Sequence, residues 1–86
     1  MSFVQDWNWE LDMGNMICIN EKHQVFVKLV KDGNNLRGRI LDISMDLLLK
    51  IARLENGPEA IQQIVLAAKA EYWKESLEGY AIEGEN

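Results

Sequence analysis

The chain has 86 residues, of which 48% are hydrophobic and 27% charged; this excludes a disordered protein and suits one folded domain. The formal net charge of −5 disfavours a sequence-independent grip on nucleic acid, and no run approaches the roughly 18–20 apolar residues of a membrane span. A single cysteine, Cys18, excludes an internal disulfide and points to a reducing, cytoplasmic setting.

The first ten residues carry two acids, no base and no unbroken apolar stretch, so no signal peptide is expected. Instead, Phe3–Met13 alternates. Phe3, Trp7, Trp9, Leu11 and Met13 share one face with Gln5, and Val4, Asp6, Asn8, Glu10 and Asp12 share the other. Period-2 alternation predicts a half-buried strand. Gly14-Asn15 reads as a two-residue hairpin turn, with glycine supplying a positive φ. Met16–Asn20 is the returning strand, and Glu21-Lys22, within Asn20–His23, forms the next turn. Gln24–Lys31, rich in β-branched and aromatic residues, is a third strand. Asp32-Gly33-Asn34-Asn35 is a turn cluster, and Leu36–Ile43 completes a four-stranded antiparallel meander.

Helix signals follow. Ser44 is an N-cap with Asp46 in the first turn, predicting a helix over about Met45–Glu55. Gly57 ends it and Pro58 opens a second helix, about Pro58–Glu78, stopped near Gly79. Residues 1–79 form a single α+β domain (ββββαα), with the two-helix hairpin packed on one sheet face. Residues 80–86 form a flexible acidic tail in which Tyr80 and Ile82 could add a short edge strand.

Closing the turns as Met13–Met16, Asn20–His23 and Lys31–Leu36 gathers Trp9, Leu11, Met13, Met16, Cys18, Val25, Val27, Leu29, Leu36 and Ile40 on one face, the expected floor of the core. Gly38 falls opposite Leu29 and leaves room for a helix side chain. Met45, Leu47, Leu48, Leu49, Ile51, Ala52 and Leu54 surround most of the first helix, predicting its burial between the sheet and the second helix. The second helix carries the stripe Ile61, Ile64, Val65, Ala68 and Tyr72, with Leu66, Ala70, Trp73 and Leu77 behind it.

The other sheet face is the candidate partner-binding surface: Ile17, Ile19, Phe26, Val30 and Leu41 as an apolar centre, with Lys28, Arg37 and Arg39 as a basic margin. Asn8, Glu10 and Asp12 form the acidic margin opposite. An exposed apolar patch between opposite charges suits a homodimer or a protein partner. No catalytic, cofactor or metal constellation is expected, and no small-molecule substrate is evident. His23 reads as a turn residue, Cys18 as a buried hydrophobe, Trp7 and Trp9 as core before ligand stackers. Glycines form no phosphate-cradling pattern. Function is therefore expected to be non-enzymatic interaction or regulation. The alternative is an acidic inhibitor or immunity-type protein blocking a basic partner such as a nuclease, through Asp6, Glu10, Asp12, Glu71, Glu75 and Glu78.

Overall fold

The structure, a computed structural model, describes residues 7–84, and from Leu77 onward the backbone alone. Four strands, β1 (Glu10–Asp12), β2 (Ile17–Asn20), β3 (Val25–Asp32) and β4 (Asn35–Asp42), form one antiparallel sheet in the order β1-β2-β3-β4. Two helices follow, α1 (Met45–Ala52) and α2 (Gly57–Gly84). The fold is the α+β meander followed by two helices that the alternating and helical patterns predict.

The first strand is shorter than its alternation predicts. The run before Trp7 lies outside the described residues, and from Trp7 on only Glu10–Asp12 is strand. The reason lies in the partner: β2 ends at Asn20, opposite which Trp9 would pair, and the chain then turns away. A side chain takes over from the ladder there. Asn20, 1% exposed, donates Nδ2 to the Asn8 carbonyl at 2.9 Å and accepts the His23 backbone N–H on Oδ1 at 2.7 Å. One buried amide thus ties the N-terminal segment to the β2–β3 turn, with its donor and acceptor both engaged.

The turns differ from the sequence reading in conformation more than in register. The first hairpin keeps its pairing, Leu11 opposite Cys18, but closes through four residues, Met13–Met16. The positive φ falls on Met16 (54°) rather than on Gly14, and the Asp12 carboxylate accepts the backbone N–H and Nδ2 of Asn15. Met13 is consequently in the turn and 52% exposed, not part of the floor. The second hairpin slips by two residues. Asn20 pairs with Val25 across the turn Glu21–Gln24, in which Gln24 takes φ 54°. A slip of two preserves the side-chain faces, because the pleat repeats every two residues. The third turn keeps the expected register, Lys31 opposite Leu36, around Gly33 at φ 63°.

The core is the inner sheet face and one side of α2. Cys18, Val25, Val27, Leu29 and Leu36 from the sheet meet Ile64, Ala68 and Tyr72 from α2, with Ala60, Leu47 and Ile51 closing one end. Trp7, Trp9, Leu11, Met16 and Ile40 flank this cluster half-buried. Gly38 sits opposite Leu29 as expected, and a Cβ placed on it would lie 2.9 Å from Val65 Cγ1. Glycine at that point lets α2 approach β4 closely.

Two helix expectations are corrected. Ser44 caps α1 through its Oγ, which accepts the Leu47 N–H at 3.3 Å, but the helix ends at Ala52 in tightened i→i−3 bonds from Arg53 to Lys50 and from Leu54 to Ile51. Only Leu47 and Ile51 of α1 are buried; Met45, Leu48, Leu49 and Leu54 are exposed. A helix of eight residues has one short face to bury, and α2 occupies the sheet that would have covered the rest. Gly57 belongs to α2, where its missing side chain admits the Ile51 carbonyl, 3.0 Å from where a Cβ would stand. At the other end α2 continues through Gly79 to Gly84, so Tyr80 and Ile82 lie in helix rather than in an edge strand. A single glycine costs an established helix only about 1 kcal/mol relative to alanine, too little to stop its propagation. Among the described residues no helix is long and apolar enough to cross a membrane.

Candidate functional site

The outer face of the sheet is organised in rows set by the strand pairing. One row runs Glu10, Ile19, Phe26, Asp42 across the four strands; the next runs Asp12, Ile17, Lys28, Arg39; a third adds Val30 and Arg37 on β3 and β4. Ile17, Ile19, Phe26 and Lys28 are half-buried by their neighbours on the sheet. Val30 and Leu41 are 52% and 46% exposed, and Arg37 and Arg39 are exposed. Ile17, Ile19, Phe26, Lys28, Val30, Arg37 and Arg39 are therefore brought onto one side of the sheet, opposite the helices.

Two details of this face depart from the sequence reading. A β-bulge between Ile40 and Asp42 adds Leu41 to β4 as an unpaired residue, so Asp42 rather than Leu41 stands opposite Phe26. An acid consequently enters the row on the edge expected to be wholly basic. The charge asymmetry runs diagonally: Glu10, Asp12 and Asp42 bound one side, and Lys28, Arg39 and Arg37 gather in the opposite corner. Lys28 is held there by donation from Nζ to the Asn15 carbonyl. Arg37 lies 3.4 Å from Asp32, but both side chains are largely exposed and such a pair contributes little. Asp12 has its carboxyl held below the ordinary range by the Asn15 side-chain amide and then by the Asn15 backbone N–H.

The other residues singled out in the sequence fall elsewhere. Cys18 is fully buried, its thiol donating toward the Ala68 carbonyl at 3.4 Å, and burial, with Glu71 adding repulsion, pushes its pKa up to about 11. A thiol so protonated is inert at neutral pH. Trp7 and Trp9 pack against the core with ring centroids 5.8 Å apart. His23 is half-buried rather than a bare turn residue, stacked on Trp7 at 4.3 Å and 22°. Among the described residues no group of three or more histidine, cysteine or acidic side chains could hold a metal ion. The carboxylates of the inhibitor reading are not gathered on one surface. Glu10 and Asp12 stand on the outer sheet face, Glu71 and Glu75 on α2 across the core, while the Asp6 and Glu78 side chains lie outside the described residues.

Sequence patterning misses a second apolar surface at the junction of α1 and α2. Leu48 and Leu54 of α1 and the following turn, with Pro58 and Ile61 of α2, line an open groove of about 550 Å³. Their apolarity reads as burial in one dimension. The signal available was the short distance from the Ser44 cap to Gly57, which limits how much of α1 can be enclosed. Comparison with known protein families, curated proteins and solved structures finds no match.

Proposed function

We propose that this chain is a non-enzymatic interaction protein that works as a two-fold homodimer joined through the outer sheet face. The observation that carries this reading is the layout of that face. Ile17, Ile19, Phe26 and Val30 form an apolar centre on the side away from both helices, between an acidic margin and a basic corner. Burying that centre against a second copy removes apolar surface from water, at roughly 25 cal/mol per Å². A two-fold axis lying in the interface and crossing the diagonal from Glu10 to Arg37 sets the Glu10–Asp12 corner against the mate's Arg37 corner, while Asp42, on the same strand as the arginines, falls near the axis and outside that exchange. An isologous contact needs such self-complementarity. A cytoplasmic setting accords with the single free cysteine.

Sedimentation velocity at micromolar concentration tests the reading. The native chain is expected to sediment as a dimer, and Arg37→Glu with Arg39→Glu, both at exposed positions, to leave a folded monomer. Phe26→Glu should do the same. A native chain that is still monomeric at about 100 µM, which puts any dimer Kd well above that concentration, overturns the proposal.

A further inference from the structure

Where the β2–β3 turn meets α1, a cavity of about 730 Å³ opens between Trp7, Asn20, Lys22, His23, Leu47 and Lys50. That volume is in the range of small-molecule sites, roughly 300–1,000 Å³. A smaller depression of about 260 Å³ adjoins it, lined by Lys22, His23, Gln24, Ser44, Asp46, Leu47 and Lys50. The wall common to both consists of Lys22, His23, Leu47 and Lys50. Each acid belongs to one side only: Glu10 and Glu21 to the larger cavity, Asp46 to the smaller. In a chain of net charge −5, the shared wall is thus a local concentration of cationic and neutral donors.

The apolar part of the wall is built as firmly. Trp7 is locked against His23 by ring stacking at 4.3 Å, and His23 is fixed by its backbone N–H bond to the buried Asn20 side chain. Leu47, which lines the same cavity, is one of the two buried residues of α1. The cleft is therefore shaped before any ligand arrives, which lowers the ordering cost of binding.

We infer that this cleft binds a small aromatic oxyanion, its carboxylate or phosphate against Lys22, Lys50 and His23 and its ring against Trp7 and Leu47. The electrostatics around His23 supply a direct readout. Burial, then Lys22 and Lys50, hold the imidazole below its ordinary pKa. The charged groups facing it are Glu10 from β1, Glu21 and Lys22 from its own turn, and Asp46 and Lys50 from α1. An oxyanion seated between the lysines offsets their repulsion and stabilises the imidazolium. A bound ligand then raises the His23 pKa, and by linkage affinity rises as pH falls through that titration.

His23 is the sole histidine, so its ring resonance is unambiguous in an NMR titration. With phenyl phosphate as probe, the His23 midpoint is expected to move up relative to sodium chloride at matched ionic strength. Lys22→Ala with Lys50→Ala, both at exposed positions, should abolish that rise and weaken binding by about tenfold or more, the loss of a charge-assisted contact. Lys22→Arg with Lys50→Arg should retain both. Inorganic phosphate, lacking the ring, is expected to bind about tenfold more weakly. A midpoint that phenyl phosphate does not move, or moves equally in the double alanine variant, overturns the inference. Equal binding of inorganic phosphate overturns the role given to Trp7 and Leu47. None of these readouts depends on the dimer, whose test is molecular mass.

Discussion

On the inner face of the sheet, Val27 and Leu29 are sealed beneath α2, with Leu29 only 1% exposed; one residue further on, Val30 stands 52% exposed. All three belong to the same strand, and the two valines share one β propensity. What separates them is the side of the pleat, and therefore which neighbour is available. α2 covers one side, and the other keeps its apolar residues between charges. Burial in this molecule is thus a property of position relative to one long helix, since α1 adds only Leu47 and Ile51 to the core.

The sharpest way to break this contrast is to truncate neighbouring residues on opposite faces. Leu29→Ala is expected to cost about 2–5 kcal/mol in chemical denaturation, the range for a buried leucine that leaves a cavity. Val30→Ala, measured at a concentration where the chain is monomeric, should cost less than about 1 kcal/mol. Similar losses at the two sites would mean that the outer face is covered as well.

A smaller effect probes how closely the helix lies on the inner face. Gly38→Ala places a methyl 2.9 Å from Val65 Cγ1 and 3.4 Å from Leu29 Cδ2 and Val27 Cγ1. Overpacking of this kind costs about 1–3 kcal/mol. Val65→Ala in the same chain should recover part of the loss, a coupling that a double-mutant cycle measures directly. Additive losses would show that α2 does not rest on Gly38.

The smallest effect concerns the thiol buried beneath α2. Folding raises the Cys18 pKa from the ordinary 9.0 to about 11. The unfolded chain therefore ionises first, and the thiol's contribution is complete below pH 9 and lost as pH rises toward 11. Native stability should fall more steeply across that window than the stability of Cys18→Ala. Parallel curves for the two chains would contradict the burial of the thiol. Cys18 is the chain's single thiol, so the difference between the two curves reports on the inner face alone.

Much of this architecture is legible in the residues themselves. Alternation in Leu11, Cys18, Val25, Val27 and Leu29 assigned faces correctly even though the second hairpin is offset by two residues. Parity is what a pleat preserves, and a two-residue slip leaves it untouched. The space opposite Leu29 at Gly38 could be read for the same reason, because the third turn holds its register. The same parity puts Ile17, Ile19, Phe26, Lys28, Val30, Arg37 and Arg39 on a common side of the sheet, but does not set the arrangement of charge around them. The bulge at Leu41 exchanges an apolar neighbour of Phe26 for Asp42, and so turns a two-edged charge distribution into a diagonal one.

Short periods along the chain are enough to place four strands, two helices, the parity of the paired strand residues and the Ser44 cap. The tertiary structure alone decided how far each element extends and what its ends do. Asn20 replaces a strand ladder with a buried amide, Met16 and Gln24 take the positive φ of their turns, and α1 stops early and leaves Met45 67% exposed. The cleft at His23 arises in the same way, from a turn and a helix distant in the chain. Periodicity reports which side of an element is apolar. Whether anything arrives to cover that side depends on the length and path of the others, which no local pattern contains.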